Sequence, residues 1–322
     1  MSILITGVAG FIGCNLAKRF TDEGHQVLGV DNLSRGTLNN LAYLQNNPNF
    51  TFVKADCAER VGFLEAIENF HKQSPIIEVW HLAANSDIPA GVTDAQVDLK
   101  DTFMTTFNVL EVMKQLAIPV LAFASSSAVY GDHGEQSISE DSGPLLPLSN
   151  YGAMKLASEA AISAAAESFL ARAFVYRFPN VIGVPATHGV LLDFVNKLKT
   201  SPDELKVLGD GTQQKTYLHV DDLIDGMLQV RHGATEKLAV YNLGADDTGM
   251  SVRHIAEAVV AAASPNAQIV YGIENRGWVG DVPKFQYRLD KLKKLGWTPK
   301  LDSRQAIVRA IAEIIQQEIT RA

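Results

Sequence analysis

The segment Gly7-Val8-Ala9-Gly10-Phe11-Ile12-Gly13 constrains this chain more than any other. It follows the short apolar run Ile3–Ile5, which reads as a buried strand, and it opens a helical pattern over Ile12–Phe20. The glycine spacing is G-x-x-G-x-x-G rather than the commoner G-x-G-x-x-G. The physics is shared: glycines permit a tight turn and let the backbone approach a pyrophosphate, which then sits at a helix N-terminus. A purely structural turn can also use three glycines. The place of the triplet, directly after a first strand, is what favours a dinucleotide.

The rest of the chain repeats the alternation. Gln26–Val30, Thr51–Val53, Ile77–Trp80, Val120–Ala124 and Ala173–Tyr176 read as further strands. Leu64–Phe70, Thr102–Gln115 and Ala153–Phe169 read as helices between them. The strands lack period-two alternation, as expected where both faces of a parallel sheet are covered by helices. The fold class expected is α/β, a Rossmann-type doubly wound parallel sheet with a smaller C-terminal substrate-binding domain. The boundary is placed at 178, giving 1–178 and 179–322. A late strand at Val240–Leu243 is expected to return to the main sheet. In the second half Leu191–Leu198, Ser251–Ala263 and Arg304–Glu318 read as helices, Lys206–Leu208 as a strand and Gly209–Gly211 as a turn. The two halves are expected to pack together around a cleft.

A chain of 322 residues, 47% of them hydrophobic, can bury a large core. Its formal charge of -8 argues against a general nucleic-acid or membrane binder. No apolar run reaches the length of a membrane span, and the N-terminus lacks the basic region of a signal peptide. Cys14 and Cys57 are the only cysteines and form no CxxC motif. They suit a reducing compartment, read as packed thiols, and suggest no metal site. A cytoplasmic enzyme is the expectation.

Asp31 ends the second strand, 18 residues beyond Gly13. A carboxylate there can accept both ribose hydroxyls of an adenosine and would repel a 2′-phosphate, which favours NAD over NADP. Arg35 is the residue type an NADP site would use, although a solvated loop arginine explains it as well. Asp56, after the third strand, could meet an adenine edge or simply form a turn.

Tyr151 and Lys155 stand four apart at the start of a helix, on one face. A free phenol, with a pKa of about 10, is a poor base at neutral pH. A nearby ammonium and a nicotinamide cation would favour its phenolate. Tyr151 could then take a proton from a substrate hydroxyl as a hydride leaves for the cofactor. Ser125-Ser126-Ser127 lies at the C-terminal end of the fifth strand, the edge where open α/β sheets bind ligands. Each feature occurs by chance. Their common order is what one site requires.

Together Thr6–Gly13, Asp31–Gly36, His81-Leu82-Ala83-Ala84, Ser125–Gly131 and Tyr151–Lys155 resemble the extended short-chain dehydrogenases/reductases, within the NAD-dependent epimerase/dehydratase family. The resemblance is greatest to the UDP-glucose 4-epimerase group. It continues through Arg177–Gly183, Thr187–Val190, Gly209–Val220, Arg276–Asp281 and Leu295-Gly296-Trp297. It implies Ser126, Tyr151 and Lys155 as catalytic residues, Tyr151 being the acid/base. For the cofactor it implies Gly7, Gly10, Phe11, Ile12, Gly13, Asp31, Asn32, Ser34, Arg35 and Gly36. Asp56, Cys57, Leu82, Ala83, Ala84, Thr102 and Ala124 complete that set, with Tyr151 and Lys155. For a nucleotide-sugar substrate it implies Ser86, Ser126, Asn180, Val190, Val207, Lys215, Tyr217, Arg276 and Phe285. Lys215 and Arg276 would grip the diphosphate, and Phe285 would border the sugar's C2 substituent. It further implies a homodimer built on the helices near Thr102–Gln115 and Ala153–Phe169.

Three positions depart from the family pattern. Thr102 replaces an asparagine and offers only part of its hydrogen bonding. Lys215 replaces an arginine and so loses the bidentate fork. Gly183-Val184-Pro185 stands where Gly-Pro-Arg is usual. Related 4,6-dehydratases carry an Asp-Glu pair immediately before Val-Tyr-Gly; here those positions are Ser127 and Ala128. The reading is therefore an NAD-dependent nucleotide-sugar 4-epimerase passing through a 4-keto sugar. Oxidation with product release, uronate decarboxylation and a non-catalytic NAD sensor are the alternatives.

Overall fold

The computed structural model describes residues 1–134, 136–273 and 284–320; for 284 and 285 it describes the backbone only. The chain divides into two units. The first comprises Met1–Gly131, Gly143–Arg177 and Val230–Tyr241, and the second Asp132–Ser142, Phe178–Gln229 and Asn242–Ala322.

The first unit is organised by a seven-stranded sheet. Its strands are β1 (Ser2–Thr6), β2 (Gln26–Asp31), β3 (Phe50–Lys54), β4 (Ile76–His81), β5 (Val120–Ser126), β6 (Arg172–Phe178) and the strand Leu238–Asn242. From one edge the order is Leu238–Asn242, β6, β5, β4, β1, β2, β3. The pairings of β1 with β2 and β4, β2 with β3, and β4 with β5 are parallel. The expected strands are all present, each extended by one to three residues, and the late strand joins the sheet beside β6. Burial on both faces explains the run of Val, Ile and Leu: all five residues of β1 are buried, and so are the last five of β2.

The order turns around between β1 and β4. The segments leaving their C-terminal ends part there, which opens the crevice used by ligands in such sheets. Helix α1 (Phe11–Asp22) leaves β1, burying Cys14, Leu16, Ala17 and Phe20. Helices α2 (Arg60–Gln73), α3 (Thr105–Gln115) and α4 (Asn150–Ser168) are the other long helices of this unit. Phe63, Ile67, Val109, Val112, Met113 and Ile162 fill the core beneath them.

The expected helix at Thr102–Gln115 is a correction. Leu99–Met104 forms a π-helical turn, and α3 begins only at Thr105. The hydroxyls of Thr105 and Thr106 both donate to the Thr102 carbonyl, at 2.9 and 3.1 Å. Such side-chain bonds compete with the regular backbone ladder and mark its interruption.

The second unit has short strands and its own apolar core. Asn180–Ile182 pairs in parallel with Tyr217–His219, and Glu204–Val207 with Gln268–Tyr271. Gln214–Lys215 lies between Met250–Ser251 and Lys284–Phe285. The helices Val190–Thr200, Val252–Ala263 and Ser303–Thr320 pack on Leu205, Val207 and Tyr217. The turn at 209–211 is confirmed by the positive φ of Gly209 and Gly211, 75° and 79°. Helix Val220–Gly233, which the sequence reading does not contain, follows Tyr217–His219. No helix among the described residues is long and apolar enough to cross a membrane.

Candidate active site

The loop after β1 is shaped around glycine. Gly7 has a φ of +71°, and a Cβ on it would stand 2.8 Å from the Ala83 nitrogen. A Cβ on Gly13 would stand 2.2 Å from the Gly7 carbonyl oxygen. Both positions therefore exclude any side chain. Helix α1 starts at Gly10 with no side-chain cap. Its first amides, next to Phe11, Ile12 and Gly13, thus keep the donor capacity that a pyrophosphate uses.

Asp31 closes this loop from the second strand. Its Oδ2 accepts the Ala9 amide at 3.0 Å and its Oδ1 the Leu33 amide at 2.8 Å. Leu33 holds a φ of 63°, which a branched side chain rarely adopts. Burial raises the Asp31 pKa, and the two amide bonds oppose that rise. Asn32 caps the Ser34 amide at 2.9 Å, and Gly36 packs against Ala9. Arg35 donates to Asp87 at 3.1 Å, which engages it in an ion pair with a carboxylate. Asp56 accepts the Ala58 amide at 2.8 Å, the turn-forming alternative, and pairs with Lys100 at 3.8 Å. Burial pushes the Cys57 thiol well up, and the Cys57 carbonyl accepts from Asn108 at 3.0 Å. Burial likewise pushes the Cys14 thiol up to about 11. Neither cysteine is a thiolate at neutral pH.

His81, at the end of β4, is fully buried. Its Nδ1 lies 2.7 Å from the Thr6 hydroxyl and its Nε2 3.1 Å from the Thr106 hydroxyl. Thr106 already donates to the Thr102 carbonyl. Thr106 therefore accepts from Nε2–H, and Thr6 donates to Nδ1. Burial, with the Lys155 charge adding to it, lowers the His81 pKa to about 3. The ring is neutral; Leu82, Ala83, Ala84, Asn85 and Ser86 follow it in the chain, and the Ala83 amide donates to the same Thr6 hydroxyl at 3.4 Å. Asn85 itself donates to Asp98 at 2.8 Å, and the Asn85 amide donates to Thr102 Oγ1 at 3.3 Å. Thr102 is buried in that role.

Helix α4 brings Tyr151 to the end of β5. Ser149 caps its first turn, accepting the Gly152 amide at 3.1 Å. A Cβ on Gly152 would stand 2.5 Å from the Ala128 carbonyl, so glycine permits the approach. Tyr151 stands beside the Ser126 side chain. Burial pushes the phenol up to about 12; the nearby Ser126 side chain acts against that rise and the Asp98 charge with it. Lys155 donates to the Ala124 carbonyl at 2.6 Å and lies over the rings of Phe123 and Tyr151 at 4.7 and 5.8 Å. Burial lowers its pKa to about 7, opposed by the charges of Glu159 and Asp98. A phenol, a hydroxyl and an amine near its titration point thus converge, which equips the site for proton transfer at one oxygen.

Two residues of this surrounding shell are absent from the sequence reading. Glu159 accepts the Ser125 hydroxyl and pairs with Arg177. Asp98 is fully buried, and burial raises its pKa. The i, i+4 spacing of Lys155 and Glu159 was the available signal for the first; no local signal marks the second.

In the second unit, Asn180 begins its strand, with its amide 3.5 Å from the Thr216 carbonyl. Val190 starts a helix and is partly buried, while Val207 and Tyr217 are buried in that unit's core. The Tyr217 amide donates to Ser303 at 3.0 Å. Lys215 pairs by backbone with Met250 and Phe285. Arg276 lies outside the described residues, as does the side chain of Phe285.

A doubly wound sheet, a glycine cradle beside Asp31 and a Ser126–Tyr151–Lys155 centre define an extended short-chain dehydrogenase/reductase. The model of the NAD dependent epimerase/dehydratase family matches residues 3–244, and the chain belongs to that family. It is an NAD-dependent enzyme. The chain is 28% identical over 316 residues to a putative UDP-glucose 4-epimerase of Methanocaldococcus jannaschii, covering 96% of this chain and 97% of the relative. A crystal structure of a UDP-galactose 4-epimerase superposes with a TM-score of 0.85 at 31% identity, over 98% of this chain and 99% of that one. The Thermus thermophilus UDP-glucose 4-epimerase, in complex with NAD, gives 0.84 at 27% identity, over 98% and 99%.

Proposed function

We propose that the chain is a nucleotide-sugar 4-epimerase of the UDP-glucose/UDP-galactose type, acting by transient oxidation at C4. The observation that carries this reading is the placing of Tyr151 beside Ser126 and over buried Lys155, whose Nζ lies 5.8 Å from the Tyr151 ring. It supplies acid–base groups for one hydroxyl, while Ser127 and Ala128 leave the next turn without a carboxylate that could catalyse water loss.

The residues present fit NAD: the side-chain-free cradle at Gly7 and Gly13 would hold the pyrophosphate, and Asp31 the adenosine ribose. NAD bound there would supply a reversible hydride acceptor for C4 and the positive charge of its oxidised ring. Tyr151 takes the proton of the C4 hydroxyl and later restores it. Ser126 donates to the same oxygen. Lys155 would hold the nicotinamide ribose and favour the Tyr151 phenolate. Ser86, Asn180, Val190, Val207, Lys215, Tyr217, Arg276 and Phe285 are proposed as nucleotide-sugar contacts.

The proposal includes a cytoplasmic homodimer joined through α3 and α4. Supporting it, Phe107 on α3 is 42% exposed and Leu99 44%. Ala160 and Ala164 are exposed on α4, where small side chains let helices approach closely. The test of function is a panel of UDP-, GDP-, dTDP- and CDP-sugars with product stereochemistry read by NMR. Interconversion at C4 of a UDP-hexose supports the reading. Absence of turnover with every member overturns it.

A further inference from the structure

Glu159 stands where three elements of the catalytic centre meet. The Ser125 hydroxyl, at the end of β5, donates to its Oε1. Arg177, on β6, grips both its oxygens, with Nε at 2.9 Å from Oε1 and Nη2 at 2.5 Å from Oε2. The same guanidinium donates through Nη1 to the Tyr130 hydroxyl at 2.9 Å and lies 4.9 Å from the centre of that ring. Tyr130 closes the turn that follows Ser126, its amide bonding the Ser127 carbonyl at 3.1 Å. Ser125, Glu159, Arg177 and Tyr130 are all at most 9% exposed.

One helical turn before Glu159, Lys155 binds the Ala124 carbonyl. Consecutive residues of β5, Ala124 and Ser125, are therefore tied to side chains one turn apart on α4. The next residue of β5 is Ser126, and one turn further back on α4 is Tyr151. A two-point clamp thus sets how the Ser126 hydroxyl and the Tyr151 phenol stand to each other.

The clamp also carries charge. The charged and titratable groups around Lys155 are Glu159 and Tyr151 on its own helix, Asp98 before the π-helical turn and His81 on β4; Arg177 on β6 pairs with Glu159. His81 is neutral, so the anions acting on Lys155 are Glu159 and Asp98. Removing the charge of Glu159 would take away one of them and leave Arg177 without its carboxylate partner.

We propose that Glu159 is a positioning residue of the reaction: through Ser125 and Arg177 it holds the end of β5 against α4, and so sets Ser126 against Tyr151. Its charge also favours the ammonium form of Lys155, one turn back on α4. This rests on the catalytic reading above, in which Tyr151 is the acid/base. A buried ion pair that merely fastens α4 to the sheet would contribute stability and nothing to the protonation of Lys155.

The experiment compares Glu159→Gln, Glu159→Asp and Tyr151→Phe. Turnover of UDP-galactose is measured from pH 6 to 10, and the rate at which acetic anhydride labels Lys155 is followed by mass spectrometry in the cofactor-free protein. In Glu159→Gln, kcat should fall roughly 10- to 100-fold, with KM changing much less, and both the alkaline limb and the Lys155 labelling midpoint should move down by about one pH unit or more. Glu159→Asp keeps the charge and shortens the clamp, so kcat should fall while the limb and the midpoint stay in place. Unchanged kcat in Glu159→Gln, or lower activity with neither midpoint moved, overturns the inference. If Glu159→Gln does not fold, Ser125→Ala cuts the clamp alone: a several-fold loss of kcat is expected, and unchanged kcat overturns it. Tyr151→Phe separates the two readings. If it turns over normally, the catalytic reading falls and this inference falls with it; if it is inactive while Glu159→Gln is normal, only the inference falls.

Discussion

The Lys155 ammonium donates to the Ala124 carbonyl at 2.6 Å, fastening α4 to the strand end that carries Ser126. That bond is made by a group whose burial works against its own charge and lowers its pKa to about 7.

Lys155→Met should therefore separate stability from activity. The folded-state pKa lies below the unfolded one, so the charged amine costs stability as pH falls from about 10.5 towards 7, and the cost levels off below that. Methionine keeps most of the volume and removes the charge. The variant should melt at an equal or higher temperature at pH 7 while turnover drops by at least about 100-fold. Scanning calorimetry beside the epimerase assay checks it, and a large fall in melting temperature would contradict it.

Asp31 already accepts two amides, from Ala9 and Leu33, and a phosphate at the 2′ position would meet its charge. NAD should bind at least tenfold more tightly than NADP, about 1.4 kcal/mol. Asp31→Asn should narrow that gap chiefly by weakening NAD. Titration calorimetry giving equal affinities in the unmodified protein would refute the assignment.

His81 is held neutral, its pKa lowered by burial to about 3. The unfolded chain gains a proton near 6.5 that the folded chain does not. Stability is thus intact above 6.5 and is lost as pH falls towards 3, by at most about 1.4 kcal/mol per pH unit for one group. Lys155 is protonated in both states over most of this window and contributes little slope. Urea unfolding of His81→Gln, although weaker throughout, should show a shallower acid dependence between pH 6 and 4. A slope equal to that of the unmodified protein would mean His81 is not the group responsible.

Much of this was legible in the sequence. Unbroken runs such as Val27–Val30 and Leu121–Ala124 mark strands covered on both faces, and the loop glycines, Asp31, Tyr151 and Lys155 keep the spacings of one site. What could not be read depends on partners far apart in the chain. Glu159 meets Arg177 only across α4 and β6, and Asp98 meets Asn85 only when the π-helical turn folds back on the β4 loop. That turn itself hid inside a good helical pattern, because threonine hydroxyls rather than hydrophobic period interrupt it. Helix Val220–Gly233 begins with two acids, Asp221 and Asp222, of which Asp222 is buried and accepts the Leu301 amide at 3.1 Å, a contact no local pattern announces.

Tyr151→Phe keeps the ring and removes the proton acceptor. Turnover should fall about 10²- to 10⁴-fold with NAD affinity unchanged by calorimetry. Normal turnover would remove Tyr151 from the mechanism.

The central claim is a reversible oxidation at one carbon, with the same hydrogen taken and returned. UDP-galactose incubated with the enzyme in D₂O and followed by proton NMR tests it most directly. The account predicts UDP-glucose that retains its protium at C4, with no reduced cofactor accumulating in solution. Deuterium at C4, or a stoichiometric oxidised sugar released with reduced cofactor, would contradict it.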